Sequence, residues 1–299
     1  MTAARRVAVR CPGKVNLHLE VVARRVDGYH ELRTLFAAVG VWDEIECRAD
    51  EPGTVRLEVE PAEVVTAAAD NLVVRAAHAA RAAWRVASGA HLTLRKGIPV
   101  AGGMGGGSAD AAATLVALAA LWGRTWAPAA LHDLAAGLGS DVPFFLTGGA
   151  AWGEGRGERL RPLPDLPPWW LVLLPGETPV STAEVYRRLD LGSRSRGPAT
   201  AVYDWLEGGG DLPLSACRND LEATVVAGWP KVGSRLEALR ATDPLLATVS
   251  GSGGTVFAVY ADEGRAITEA ARLTAYRPIV APLLGRARSV LRPTTVEGL

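Results

Sequence analysis

Five glycines within the six positions 102–107 are the feature of this 299-residue chain that most strongly suggests chemistry. They lie between a segment of alternating polarity, His91–Lys96, and an alanine-rich run that begins at Ala109. Glycine loses more conformational freedom on folding than any other residue, so the cluster indicates that something must approach this backbone closely. Because the N-terminus of a helix offers unpaired N–H groups and a positive dipole, a phosphate is the natural ligand. A tight turn required only by packing is the alternative.

The register of the glycines excludes the two commonest phosphate loops. A P-loop needs a lysine and a Ser or Thr after its last glycine, and no lysine follows Gly107. The dinucleotide fingerprint needs a glycine where Ser108 stands. We predict Ser108 as the N-cap of a helix that extends to Trp122, with Asp110 in its first turn. The predicted phosphate loop comprises Pro99, Val100, Ala101, Gly102, Gly103, Met104, Gly105, Gly106, Gly107, Ser108 and Ala109.

A few polar residues elsewhere could act on a ligand at this loop. Lys14 and Asn16 alternate along a predicted strand, so both side chains should point to the same side. Asp141 lies in a Gly-Ser-Asp-Val-Pro turn that could hold a carboxylate rigidly, although turns commonly use Asp for local reasons alone. By type alone, Tyr29 and His30 could be a core aromatic residue and an incidental histidine.

The overall composition restricts the possible partners. Lys plus Arg and Asp plus Glu are equal at 32 each, so no basic field predicts binding to nucleic acid or to a membrane surface. Phosphate binding must therefore depend on local backbone and a few cations. The three cysteines form no Cys-x-x-Cys, and the longest apolar run, Trp169–Leu174, is too short for a bilayer. We expect a globular protein that works in a reducing cytoplasm.

Alternation and capping signals predict an α+β architecture. Strands are predicted at 7–11, 15–21, 55–59, 91–96, 169–174 and 255–260, with aromatic and glycine-rich strands from 144 to 157. Helices are predicted at 72–86 (capped by Asp70 or Asn71), 109–122, 128–139 and 182–189, after Asn219-Asp220, and at 263–273. A polar loop is predicted at 193–198. A proline-dense connector at 161–168 predicts two domains, 1–163 and 164–299.

Three segments resemble the GHMP small-molecule kinases, a superfamily that includes homoserine, mevalonate and galactose kinases. Lys96–Ala112 resembles their nucleotide loop, Cys11–Leu19 their N-terminal Pro-x-Lys-x-Asn-Leu motif, and Val249–Phe257 their C-terminal glycine motif. Two more segments, Arg25–Leu32 and Gly139–Phe145, are similar to the branch whose acceptor carries a cytidine diphosphate group and serves isoprenoid synthesis. The resemblance covers nearly the whole chain.

The resemblance implies a two-domain α+β fold with the active site in the cleft between the domains. The N-terminal domain would be similar to domain 2 of ribosomal protein S5 and would bind ATP, and the C-terminal domain would be ferredoxin-like. ATP and Mg²⁺ are the implied cofactors, with the Ser108 hydroxyl near a metal whose other ligands stay unassigned. Asp141 would accept the proton of the substrate hydroxyl, and Lys14 would lie near it and the transferring phosphate.

The same resemblance implies residues for the two nucleotides. Asn71 and Lys96 would contact adenosine, although a helix cap and a surface lysine are alternative roles. A small-molecule substrate with a cytidine diphosphate group would be bound by Asn16, Tyr29, His30, Thr182 and Tyr186, with the Tyr29-His30 pair and the Tyr186 ring on opposite faces of the cytosine.

Two other functions stay open at this point. Another GHMP kinase would act on homoserine, mevalonate or a sugar, but these acceptors have no base for the Asp27–His30 segment to bind. A catalytically inactive nucleotide-binding regulator would have no need of Lys14 and Asp141. The chain also departs from the superfamily pattern, with Gly13 for the usual Ala, Met104 for Leu and Ala109 for Ser.

Overall fold

The computed structural model describes residues 6–62, 69–177, 179–190 and 199–296, so the predicted polar loop at 193–198 lies outside the described residues. The strands are β1 (Arg6–Arg24), β2 (His30–Asp50), β3 (Val55–Glu60), β4 (Gly89–Arg95), β5 (Ala150–Gly155), β6 (Arg159–Pro162), β7 (Trp170–Leu174), β8 (Leu246–Val249), β9 (Val256–Tyr260), β10 (Ile279–Pro282) and β11 (Thr294–Val296). The helices are α1 (Leu72–Trp84), α2 (Gly106–Leu121), α3 (Pro128–Leu138), α4 (Val142–Thr147), α5 (Thr182–Arg188), α6 (Thr200–Gly208), α7 (Glu222–Gly228), α8 (Pro230–Arg240), α9 (Glu263–Arg272) and α10 (Arg286–Ser289).

The first sheet has seven strands, with the path β11-β1-β2-β4-β3 and with β5 joined to both β2 and β6. Its two longest strands, β1 and β2, form an antiparallel pair whose register shifts at three bulges. The separate strands predicted at 7–11 and 15–21 are therefore one strand. The prediction was wrong because Pro12-Gly13 forms a bulge rather than a turn, and Lys14 follows directly.

Two predicted elements around the glycine cluster differ from the structure. Helix α2 begins at Gly106 rather than Ala109, with Gly105 as its cap at φ +71° and without a side-chain hydrogen bond. Ser108 is thus a residue of the first turn and not the N-cap, and Asp110 lies beyond that turn. Phe144 belongs to helix α4 and not to a strand, because Pro143 suits a helix start and Gly148 ends the helix.

The second sheet has the order β10-β7-β9-β8 and is antiparallel throughout. Helices precede β8 and follow β9, so the sequence of elements is strand, helices, strand, strand, helix, strand. This is the ferredoxin-like arrangement, and that prediction is confirmed.

Two hydrophobic clusters form the core, and the second sheet lies between them. Leu171 and Leu173 of β7 pack into the core of the first sheet, whereas Val172 and Leu174 pack on the other side beneath α8 and α9. The chain changes sheet between Pro162 and Trp170, close to the predicted boundary, but β11 returns to pair with β1. The limits 1–163 and 164–299 stay a prediction. Among the described residues, no helix has the length and apolarity needed to cross a membrane.

Candidate active site

A cavity of about 1010 Å³ collects the polar residues singled out in the sequence. Its walls come from β1, β2, the glycine cluster, the turn before α4, helix α5 and the loop at 250–255 between β8 and β9, which we call the second glycine loop. Lining residues that were predicted from the sequence are Lys14, Asn16, Tyr29, His30, Gly103, Gly105, Asp141, Thr182 and Tyr186. The fold therefore brings residues from both halves of the chain to one cavity.

Lys14, Asn16 and Asp141 form one group on the cavity wall. The Lys14 ammonium donates a hydrogen bond to Asn16 Oδ1 at 2.7 Å, and its Nζ lies 3.3 Å from Asp141 Oδ2. The Lys14 side chain is 5% exposed, whereas that of Asp141 is 32% exposed. The expected strand alternation of Lys14 and Asn16 is confirmed. A buried cation thus faces a carboxylate that a ligand in the cavity can reach.

A second layer of hydrogen bonds fixes Asn16. Its Nδ2 donates to Thr34 Oγ1 at 2.7 Å, and that hydroxyl donates to the carbonyl of His18 at 2.7 Å. Because both amide atoms of Asn16 are engaged, the amide cannot rotate without breaking a buried hydrogen bond. The Phe36 ring, with its centroid 5.4 Å from Lys14 Nζ, closes the other side of the ammonium.

The first glycines of the cluster are required by loop packing. A Cβ added at Gly103 would lie 2.0 Å from the carbonyl oxygen of Ser250, and one at Gly102 would lie 2.4 Å from Thr255 Oγ1. Hydrogen bonds join the same segments, from Ser250 Oγ to Gly103 O and from Thr255 N to Gly102 O. For these two positions, the packing alternative describes the structure well.

Gly105 lines the cavity and caps helix α2, which begins with Gly106 and Gly107. Gly105 has φ +71°, and a Cβ there would lie 2.8 Å from Phe145 Cζ and 3.2 Å from Lys14 Cε. Gly107 is exposed and has ordinary space, since its nearest neighbour would be Leu72 Cδ1 at 3.5 Å. The N-terminus of the 16-residue helix α2 therefore opens beside the Lys14 ammonium, and it can bind an anion.

Lys96 is buried and is not a surface lysine. Its ammonium forms ion pairs with Asp43 and Asp110, the second at 2.8 Å, and its side chain is 4% exposed. Asp43 also accepts hydrogen bonds from the backbone N–H groups of Gly97 and Ile98. Burial raises the pKa of Asp110 to about 8 against the opposing charge of Lys96, and the neighbouring Asp43 adds to the rise. The cluster fixes the strand that leads into the glycine loop.

Asn71 caps helix α1, since its Oδ1 accepts a hydrogen bond from Val73 N at 2.9 Å. The cap places it at the start of α1, where Leu72 lies beside Gly107. The start of α1 and the start of α2 are therefore neighbours. A contact of Asn71 or Lys96 with adenosine stays a prediction.

The far end of the cavity carries the aromatic residues. The His30 and Tyr186 rings stack at a centroid distance of 4.8 Å and an interplanar angle of 24°, which joins β2 to α5. Tyr29 is 55% exposed, and the Arg156 guanidinium lies 4.9 Å from its ring centroid. Thr182 shares a 2.7 Å hydrogen bond with Ser252 of the second glycine loop. The predicted aromatic residues thus meet across the cleft, with His30 rather than a base on the Tyr186 ring.

Two departures from the superfamily pattern compensate each other. A Cβ added at Gly13 would lie 3.3 Å from Met104 Cε, so the longer methionine fills the space that an alanine would occupy. Met104 is buried, and its carbonyl accepts a hydrogen bond from Lys14 N at 2.9 Å. Ala109 is fully buried inside helix α2.

Several lining residues were missed in the sequence. Thr34 and Phe36 lie on the cavity face of β2 with His30, but residues 34–39 are all buried and their polarity does not alternate, so no local pattern indicated them. Gly251 and Ser252 belong to a segment already noted as a glycine motif, but none of its residues was placed in the site. Arg156 carried no signal, because nothing in the sequence connects a turn between two short strands with β2.

Comparison with known proteins identifies the class. Residues 71–149 match the GHMP kinases N terminal domain, and residues 212–278 match the GHMP kinases C terminal family. A homoserine kinase from Cytophaga hutchinsonii has the same fold, with a TM-score of 0.71 at 19% identity over 97% of each chain. The chain belongs to the GHMP kinases, which use ATP.

More similar proteins narrow the class to one family. A 4-diphosphocytidyl-2-C-methyl-D-erythritol kinase from Pelotomaculum thermopropionicum is 44% identical over 87% of this chain and 91% of its own. One from a Nocardioides species is 43% identical over 83% and 86%. A crystal structure of a 4-(cytidine 5'-diphospho)-2C-methyl-D-erythritol kinase superposes with a TM-score of 0.78 at 35% identity, covering 93% of this chain and 99% of that one. Within the GHMP kinases, the chain belongs to the 4-diphosphocytidyl-2-C-methyl-D-erythritol kinase family.

Proposed function

We propose that this chain uses ATP to phosphorylate the 2-hydroxyl group of 4-diphosphocytidyl-2-C-methyl-D-erythritol, a cytoplasmic step of non-mevalonate isoprenoid precursor synthesis. The names of its relatives support the substrate. The observation that carries the proposal is the group formed by Lys14, Asn16 and Asp141, which opens onto the same cavity as the His30–Tyr186 pair. One end of the cavity suits phosphoryl transfer, and the other suits a planar base.

The residues around Gly105 have distinct roles in the transfer. The N–H groups at the start of α2 hold the ATP phosphates, which bring their charge to the positive end of the helix. Lys14 lies beside the same helix end and stabilises negative charge on the phosphoryl oxygens. Because the transition state is loose, positioning and electrostatic stabilisation supply most of the catalysis.

Asp141 receives the proton of the substrate hydroxyl. Its carboxylate is partly exposed to the cavity and held 3.3 Å from Lys14 Nζ, so it can orient a hydroxyl without being withdrawn into the core. The nearby ammonium stabilises the negative charge that develops on the substrate oxygen. Asn16 fixes the ammonium and can contact the same hydroxyl from the cavity wall.

Mg²⁺ is included in the proposal as the partner of ATP. Within the described residues, no group of three or more His, Cys, Asp or Glu side chains could hold a metal ion by itself. This donor set suits a magnesium ion that is bound mainly by phosphate oxygens and water, with one or two protein ligands. The Ser108 hydroxyl in the first turn of α2 is the candidate protein ligand, and the ion would neutralise phosphate charge.

The base is recognised where β2 meets α5. Burial raises the pKa of the Tyr186 phenol, and the charge of Asp141 adds to the rise. The phenol therefore stays neutral near pH 7. A cytosine would lie between the Tyr29-His30 pair and the Tyr186 ring, with His30 at its polar edge. Because His30 already stacks on Tyr186, base binding requires one of these rings to move.

A coupled assay of ADP release tests the proposal. The purified chain is supplied with MgATP and, in separate reactions, with the cytidyl substrate, homoserine, mevalonate or galactose. We expect turnover with the cytidyl substrate alone. Turnover only with one of the other three acceptors would replace the substrate assignment, and ATP binding without turnover on any acceptor would favour a regulatory protein.

A further inference from the structure

Asn219 is a buried residue outside the cavity lining whose side chain holds the second glycine loop. Its Nδ2 donates hydrogen bonds to the carbonyl oxygens of Val249 at 2.9 Å and Gly251 at 2.7 Å. Its Oδ1 accepts a hydrogen bond from Leu221 N at 2.9 Å. The side chain is thus engaged at both ends, and it binds the loop on each side of Ser250.

The backbone of the same segment is attached to strand β1. Leu19 N donates to the carbonyl of Arg218 at 2.7 Å, and Asp220 N donates to the carbonyl of Leu19 at 2.9 Å. Leu19 lies three positions after Asn16 on β1. The segment around Asn219 is therefore fixed beside β1, the strand that carries Lys14 and Asn16, and the Asn219 side chain extends from that segment to the second glycine loop.

The loop that Asn219 holds lies against the catalytic group. Gly251 has φ +56°, and a Cβ on it would lie 3.2 Å from Asn16 Oδ1 and 3.5 Å from Lys14 Nζ. Such a Cβ would also lie 3.5 Å from the carbonyl oxygen of Gly103 in the nucleotide loop. A shift of Gly251 therefore changes the space around Lys14 and Asn16 and the packing of the nucleotide loop together.

We infer that Asn219 is a positioning residue for phosphoryl transfer, which sets the second glycine loop against Lys14 and Asn16. The inference rests on the proposed kinase function. Asn219 touches neither Asp141 nor the cavity, so it acts through Gly251. Loss of its two donor bonds frees the loop to move away from the ammonium, and small displacements of positioning groups are costly in phosphoryl transfer because positioning supplies most of its catalysis.

Asn219→Ser separates this role from the local turn. The serine hydroxyl can still accept from Leu221 N but is too short to reach the two carbonyl oxygens of the loop. Thr242→Val is the matched control, because Thr242 is also a buried hydrogen-bonding residue of the second half of the chain. Its partners, the carbonyl of Leu239 and the hydroxyl of Tyr260, do not line the cavity.

Steady-state kinetics and hydrogen exchange are measured on both variants. For Asn219→Ser we expect kcat to fall roughly tenfold to a hundredfold, the scale of a lost positioning contact, with KM for each substrate changed less than about threefold. Amides of the segment 250–255 should exchange faster than in the wild type. Thr242→Val should lower the melting temperature but leave kcat and this exchange unchanged. Asn219→Asp, which keeps the volume and the acceptor but presents oxygen to both carbonyls, should repeat the pattern if the serine variant does not fold.

The possible results are distinct. A folded Asn219→Ser with wild-type kcat would overturn the inference, whether or not the loop exchanged faster. A reduced kcat without faster exchange at 250–255 would overturn the route through Gly251. If the wild type phosphorylated no acceptor, the proposed function would fail, and the exchange data would still decide whether Asn219 holds the loop.

Discussion

Replacing Asp141 by Asn removes the carboxylate while it preserves the volume of the side chain. The Lys14 ammonium, 3.3 Å away, keeps its hydrogen bond to Asn16, so the wall of the cavity should stay in place. The variant can still contact the substrate hydroxyl but can no longer take its proton. We therefore expect kcat to fall by roughly 10²–10⁴, the scale of a positioned general base.

The structure separates this effect from a loss of stability. The kcat loss corresponds to about 2.7–5.4 kcal/mol at about 1.36 kcal/mol per decade. The Asp141 side chain is 32% exposed, so solvent screens its ion pair with Lys14, and the buried ammonium keeps its hydrogen bond to Asn16 when the carboxylate is removed. ATP affinity should change less than about threefold, since the helix end that holds the phosphates is intact. Asp141→Asn should therefore lose far more activity than folding stability or ATP affinity.

The assay measures ADP release at saturating MgATP and cytidyl substrate, with ATP affinity from calorimetric titration and stability from urea unfolding. Asp133→Asn is the control, because Asp133 is an exposed carboxylate on helix α3. It should keep wild-type kcat. If Asp141→Asn retained more than about a tenth of kcat, well short of the expected loss, Asp141 would not be the base.

Three further predictions follow from the glycine loop, the aromatic pair and the buried cluster. Gly105→Val should weaken ATP binding at least about tenfold, because a β-branched side chain restricts the backbone at φ +71°. Circular dichroism checks that the variant is folded, and the control Gly107→Ala should bind ATP normally. Equal ATP affinities of the two variants would contradict a phosphate role for the loop. Tyr186→Ala should weaken binding of the cytidyl substrate roughly tenfold to a hundredfold through lost stacking and spare ATP. Calorimetry should also show that the wild type rejects a uridine analogue, because the hydrogen-bond donor and acceptor at the base edge are reversed and buried groups stay unpaired. Equal affinity for the cytidine and uridine compounds would contradict base recognition. Burial raises the pKa of Asp110 to about 8, so its contribution to the free energy of unfolding is present below about pH 4 and is lost as the pH rises to 8. Urea unfolding of Asp110→Asn should therefore show a smaller fall of the unfolding free energy between these pH values than the wild type. An equal fall in both proteins would disprove the raised pKa of Asp110.

Local patterns in the sequence predicted much of the site. Strand alternation placed Lys14 and Asn16 together, since both lie after the bulge at Pro12-Gly13 and no register shift falls between them. The side-chain chemistry of Asn71 predicted a helix cap that the structure contains. In both cases the determining interactions are within a few residues along the chain.

Long-range interactions account for what the sequence did not show. Strand β2 was not predicted, because the six residues from Thr34 to Val39 are all buried and do not alternate. A surface position for Lys96 stayed open in the sequence analysis, because its partner Asp43 lies 53 residues earlier in the chain. The packing of Gly103 against Ser250 joins loops 147 residues apart. No local pattern encodes such pairs.

Phosphorus NMR of the reaction product tests the central claim most directly. The phosphoryl acceptor in the proposal is the 2-hydroxyl of a 2-C-methyl polyol, whose carbon carries no hydrogen. Without proton decoupling, the account predicts a new monoester signal with no proton coupling, which grows in proportion to ADP while the diphosphate signals of the cytidyl substrate persist. A monoester signal split by neighbouring protons would place the phosphate on another hydroxyl. Inorganic phosphate with unchanged substrate would contradict the kinase assignment itself.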